Sequence, residues 1–213
     1  MNAATDALRA RVLAVAAATP STTRRMGHRL AVLAMALSIG VAFALFEMVG
    51  GLEHSRDRPF GETVRLADGW GLFSAALTWF VVGRGGSTLA RSAPALLVAT
   101  TGSPIALYAW MQHFPVWEAT PDTEVGCLLL TLAFAAVPLT SFLMLRRGLE
   151  PSHPGMLGGA AGAMSGAWGA VLVLLWCPQT AALHGLVGHV LPLVLLIALG
   201  AKIGASTLGI RKI

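Results

Sequence analysis

Residues 126–145 read GCLLLTLAFAAVPLTSFLML, residues 146–155 RRGLEPSHPG, residues 156–177 MLGGAAGAMSGAWGAVLVLLWC, and residues 178–190 PQTAALHGLVGHV. Two apolar runs flank a basic turn. Each run matches the ~20 residues that a helix needs to cross a hydrocarbon core about 30 Å thick. Cys127 opens the first run and Cys177 closes the second, and these are the chain's 2 cysteines. At a rise of ~1.5 Å per residue, Cys127 lies about 27 Å back from Leu145 and Cys177 about 32 Å on from Met156. The spacing therefore predicts a membrane hairpin with both thiols at one boundary and Arg146 and Arg147 at the other.

Composition extends this reading to the whole chain. Of 213 residues, 55% are hydrophobic and only 12% charged, against about 25% charged in a soluble domain. The mean hydropathy is +0.71. So few charges cannot cover a water-facing surface, and most of the surface must face lipid. The expected fold is all-α: a polytopic bundle of six transmembrane helices, at residues 30–49, 66–83, 93–111, 126–145, 156–177 and 183–208. Asp68 and several glycines interrupt the second segment, so a five-span bundle with that segment on the surface is the rival reading. Trp70 and Trp79 are expected as interfacial markers at its two ends. Pro104, Pro138 and Pro192 fall inside three spans, where neighbouring helices can satisfy the carbonyls they free.

Charge sets the orientation. Of 15 basic residues, all but Arg56, Arg58 and Arg65 fall on one side of this bundle. Glu118, Asp122 and Glu124 make a purely acidic loop on the other. The positive-inside rule places both termini in the cytoplasm. The net charge of +5 is thereby explained by loop charge, with no nucleic-acid partner required. The expected domains are a cytoplasmic arm (1–29), a transmembrane domain (30–208) and a cytoplasmic tail (209–213). The arm does not read as a cleaved signal peptide, because the apolar run behind it is a full span. Leu8, Val12, Val15 and Ala16 share a face of a short helix that Pro20 ends.

No GxGxxG after a strand, Walker motif, CxxC, HExxH or nucleophile elbow is present, so an enzyme is not expected. A small transporter and a membrane thiol oxidoreductase are the competing classes. Against the first, ionisable residues within the spans (Glu47, Asp68, Lys202) lie near span ends. Against the second, no CxxC is present. Cys127 and Cys177 are candidates for a sensing or redox pair. With His184 and His189 they are also candidates for a soft-metal site, and His113 falls at the same level. Simple burial is the bland alternative for the thiols, and solvation of a helix end is the bland alternative for the histidines. On an α-helix, His184 and His189 diverge by about 140°, so no i,i+4 metal pair is expected. No resident cofactor is expected. Gly158, Gly162 and Gly166 form a small-residue stripe that suits close packing within the bundle, or a homo-oligomer.

Gly126-Cys127, Pro138, Arg146-Arg147-Gly148, the glycine stripe, Cys177-Pro178, His184 and Gly188-His189 together resemble the NrsF-type proteins. These are six-helix inner-membrane negative regulators of an extracytoplasmic-function sigma factor. The resemblance implies a membrane anti-sigma factor in the bacterial inner membrane, in contact with lipid and with a cytoplasmic sigma factor but not directly with nucleic acid. It implies that cytoplasmic parts hold the sigma factor. The expected partner-binding residues are Leu8, Arg9, Arg11, Val12, Arg24 and Arg25 in the arm, and Arg146 and Arg147 in a loop. Arg84 and Arg91 can share that contact. Envelope stress, a metal or oxidant acting at Cys127 and Cys177, is then expected to release the sigma factor.

Overall fold

A computed structural model describes residues 24–55, 59–83, 91–116, 124–147, 151–177 and 179–208, together with Ala10 and Ala14. The regular elements among the described residues are all helical, with no strand. The long helices among the described residues are α1 (Arg24–Met48), α2 (Phe60–Val82), α3 (Ala93–Met111), α4 (Glu124–Leu145), α5 (Pro154–Trp176) and α6 (Ala182–Thr207). A 3-10 turn, Gly51–Ser55, follows α1. The chain turns there on Gly50 and Gly51, at φ 107° and 52°, a left-handed region that side chains with a Cβ avoid. The arm helix expected around Leu8, Arg9, Arg11 and Val12 lies outside the described residues. Arg24 and Arg25 open α1.

Helix α5 is the centre of the bundle and packs against α6, α4, α2 and α3. Its most apolar window is 94% buried inside the protein, against 28% for α1. Small residues make this possible. A Cβ on Gly158 would run into Gly200 O, one on Gly162 into Leu196 O, and one on Gly204 would stand 2.7 Å from Gly158 Cα. The backbones of α5 and α6 therefore touch, as small-residue stripes permit. The stripe that also suited a homo-oligomer is occupied by α6 of its own chain.

Tryptophans tie α2 into this core. Trp70 Nε1 donates to Ala167 O at 3.1 Å, Trp168 Nε1 to Thr78 Oγ1 at 2.8 Å, and Trp110 Nε1 to Leu66 O at 2.9 Å. Trp70 is thus no interfacial marker: it is 2% exposed, whereas Trp79 is 61% exposed. An indole offers a large apolar body and one N–H, and a backbone carbonyl on a neighbouring helix satisfies that N–H away from water. Pro104 and Pro138 sit inside α3 and α4 without ending them.

Contacts between helix ends sort the bundle into two levels. At one level α1 ends beside α5, where Trp176 Nε1 bonds Val49 O at 3.2 Å. Here Gly185 of α6 meets Met111 at the end of α3, and Gly188 faces Glu124 O and Cys127 at the start of α4. At the other level, Arg146 after α4 donates to Val82 O at 2.7 Å, and Arg91 before α3 donates to Phe80 O at 3.2 Å. There Gly204 of α6 meets Gly158 of α5. Consecutive helices alternate in direction. Four of them, α1, α4, α5 and α6, are long and apolar enough to cross a membrane.

Candidate functional site

The open end of the α4/α5 hairpin brings four residues together. Cys127 lies in the first turn of α4. Cys177 lies one residue beyond α5, in extended conformation (φ −88°, ψ 120°), with its N–H bonded to Val173 O at 2.7 Å. Pro178 follows it in sequence, and a residue before proline is driven out of the helical region. The helix ends there for a local covalent reason, and the thiol is left at its tip.

His184 and His189 come from the start of α6. Residues Gly185–Val190 form a π-helical turn. The divergence of about 140° expected for an α-helix does not occur, because i→i+5 hydrogen bonding stacks residues five apart. The two rings lie with centroids 5.4 Å apart. Two features of the sequence favour this turn. Pro192, just beyond it, has no N–H to give to Gly188 O. Gly185 and Gly188 leave room: a Cβ on Gly185 would stand 2.9 Å from Met111 Cε, and one on Gly188 would stand 3.1 Å from Cys127 Cβ and 3.4 Å from His184 Nε2. Gly188 is therefore what lets α6 approach Cys127. The sequence displayed it only as part of the Gly188-His189 pair.

The ligand atoms of Cys127, Cys177, His184 and His189 all lie within 4.8 Å of one another. Cys177 Sγ and His184 Nε2 are 3.2 Å apart. All four residues are buried: Cys127 and His189 at 0% exposure, Cys177 at 1% and His184 at 2%. The histidines thus do not solvate a helix end. No disulfide joins Cys127 and Cys177. The surrounding wall is apolar, formed by Ala42 and Phe46 of α1, Phe134 of α4, and Leu172 and Val173 of α5. Thr131 anchors the first turn of α4 by donating to Cys127 O at 2.8 Å. His113 stays apart: it is exposed, and its Nδ1 is 2.9 Å from Ala109 O. The cluster holds soft sulfur and borderline nitrogen donors and no carboxylate, a set that suits soft metals.

The basic end has a different character. Arg146 is 9% exposed, bonds Val82 O at 2.7 Å and leans over the Phe142 ring at 5.9 Å. Burial lowers its pKa below the ordinary arginine value through desolvation. Arg91 lies 4.4 Å from the centre of the Phe80 ring and bonds Phe80 O. Both cations close the C-terminus of α2, where carbonyls lack intrahelical partners and the helix dipole favours positive charge. Arg146, expected as a partner-binding residue, is turned into the protein, and Arg147 is exposed.

Residues 12–209 match the family model of NrsF, described as a negative regulator of sigma F. The chain belongs to that family. No curated protein and no solved structure matches it. Membership makes the chain a negative regulator of a sigma factor, and the family is one of regulators rather than of enzymes. The matched stretch contains the whole cysteine–histidine cluster and both ends of the bundle.

Proposed function

We infer that this NrsF-family chain is an inner-membrane anti-sigma factor for an extracytoplasmic-function sigma factor, and that it reads its signal at Cys127 and Cys177. All six helices cross the membrane, with both termini in the cytoplasm. Residues 1–29 are the cytoplasmic arm, already helical from Arg24. Residues 30–208 are the membrane domain and residues 209–213 the tail. The arm, with Leu8, Arg9, Arg11, Val12, Arg24 and Arg25, meets the sigma factor together with the exposed Arg147. The cysteine pair faces the other side, where a bacterial envelope is oxidising. A change at the pair reaches the cytoplasmic end along α4, α5 and α6, all of which touch the cluster, and the sigma factor is released.

The observation that carries this reading is the gathering of both cysteines at the end of the bundle opposite Arg146 and Arg147. The test is a sigma-dependent reporter in cells carrying Cys127→Ser or Cys177→Ser. Each variant should insert into the membrane at wild-type levels, still repress without stress, and lose induction by oxidants or soft metals. Unchanged induction in both variants would remove the sensing role. A full-length protein that captures none of the host's sigma factors in a pull-down would remove the anti-sigma role.

A further inference from the structure

We propose that Cys127, Cys177, His184 and His189 are the four protein ligands of one tetrahedral site for a divalent d10 cation, Zn2+ or its softer analogue Cd2+. This names the ligand of the proposed signal site and rests on that reading for its biological role, though not for its chemistry. Three observations lead to it. First, a redox pair needs two thiols and no imidazoles, yet here two buried histidines share the pocket within 4.8 Å. Second, His189 is fully buried and neither of its ring nitrogens meets a hydrogen-bond partner among the described residues. Buried polar atoms are nearly always paired, and a metal would take one of these nitrogens. Third, the rare π turn is what stacks the two rings. Such single π turns in helices occur often at functional sites.

Charge selects the cation. Binding releases a proton from each thiol, so M2+ with two thiolates and two neutral imidazoles makes a complex of zero net charge and frees two protons. A neutral complex suits a pocket walled by Phe46, Phe134 and Leu172, where an uncompensated charge is costly. A monovalent soft ion would leave one negative charge there. Hard cations such as Mg2+ and Ca2+ find none of the oxygen ligands they require. Bonds of about 2.3 Å to sulfur and 2.0 Å to nitrogen place tetrahedral ligand atoms about 3.3–3.8 Å apart. From at most 4.8 Å, the donors close by up to about 1.5 Å, a side-chain rotation. Every acidic residue the structure describes (Glu47, Glu53, Glu62, Asp68 and Glu124) lies in the same half of the bundle, a field that concentrates cations near the site.

The test uses the full-length chain in detergent, reduced and stripped of metal, titrated with Co2+ alone and then with Zn2+. The wild type should take up one Co2+ per chain, with thiolate charge-transfer absorption and the intense visible bands of a tetrahedral ion, and Zn2+ should bleach both. His189→Ala should weaken Co2+ binding by roughly tenfold or more. His189→Cys should keep the tetrahedral bands and add thiolate absorption, which excludes misfolding as the cause of the first result. His113→Ala should bind as wild type. The proposal is overturned if the helical wild-type protein binds no Co2+ or holds it octahedrally, if His189→Ala binds as tightly as wild type, or if the purified cysteines are already a disulfide. No sigma factor enters these measurements, so a failed sigma pull-down leaves their result standing.

Discussion

Arg146 and Arg147 are neighbours in sequence and diverge in fate. The first is drawn in to close α2 through Val82 O, while the second stays at the surface. Removing Arg146 strips a buried carbonyl of a charged donor, a loss of about 1–3 kcal/mol. Arg146→Ala should therefore lower the unfolding temperature in detergent, whereas Arg147→Ala should leave it unchanged and weaken capture of the sigma factor. Equal thermal shifts for the two would contradict this division. A count of basic residues locates a loop but carries no information on which side chain turns inward. For that reason the sequence places both arginines at one end of the bundle but does not show that Arg146 alone turns inward. The same limit applies to Trp70, whose N–H proved to serve Ala167 O rather than a lipid headgroup.

At the scale of elements, apolar length located the helices well. Residues 93–111 were expected and are α3, and residues 126–145 fall within α4. Helix α2 was expected from residue 66 but begins at Phe60. Its first turns carry Glu62 and Arg65, paired at 3.0 Å, and a hydropathy pattern passes over charged helical turns. The cysteines were placed by helix length alone. The same reckoning set His184 and His189 at the level of the thiols, where the structure gathers all four, but it missed the convergence of the two rings because the 140° argument assumed α geometry throughout α6. A π turn holds one residue more than an α turn. Excising the half-exposed Leu186 should convert Gly185–Val190 to α-helix, leave His184 and His189 four residues apart on one face, and preserve the packing of Leu191–Thr207. The shortened protein should then keep wild-type helicity by circular dichroism and bind Co2+ within about threefold of wild type, since i,i+4 neighbours also converge. Adding a residue there should separate the rings and abolish binding. Retention after insertion would show that the turn does not build the site.

The whole molecule poses the question of how many helices cross. Composition alone qualifies α1, α4, α5 and α6. A four-span chain with α2 and α3 on the outer surface would place Gly83 on the same side as the cysteine cluster. We propose the six-span arrangement, and two sets of contacts support it. Arg146 bonds Val82 O and so joins the end of α2 to the end of α4, a full helix length from Cys127. Trp70 and Thr78 hold α2 along the buried α5. A helix that lies beside a membrane-crossing helix over this length shares its depth. Interhelical bonds and burial on one face offset the polar residues that lower the apparent apolarity of α2. Fusions to a reporter active only outside the cytoplasm separate the two arrangements. Six spans predict activity after Leu52 and Val116, and silence after Gly83, Arg147 and Leu208. Four spans predict the same pattern except at Gly83, which would become active. That single junction decides whether α2 and α3 belong to the membrane domain, and activity there would detach the charge asymmetry from the alternating helix ends on which the orientation rests.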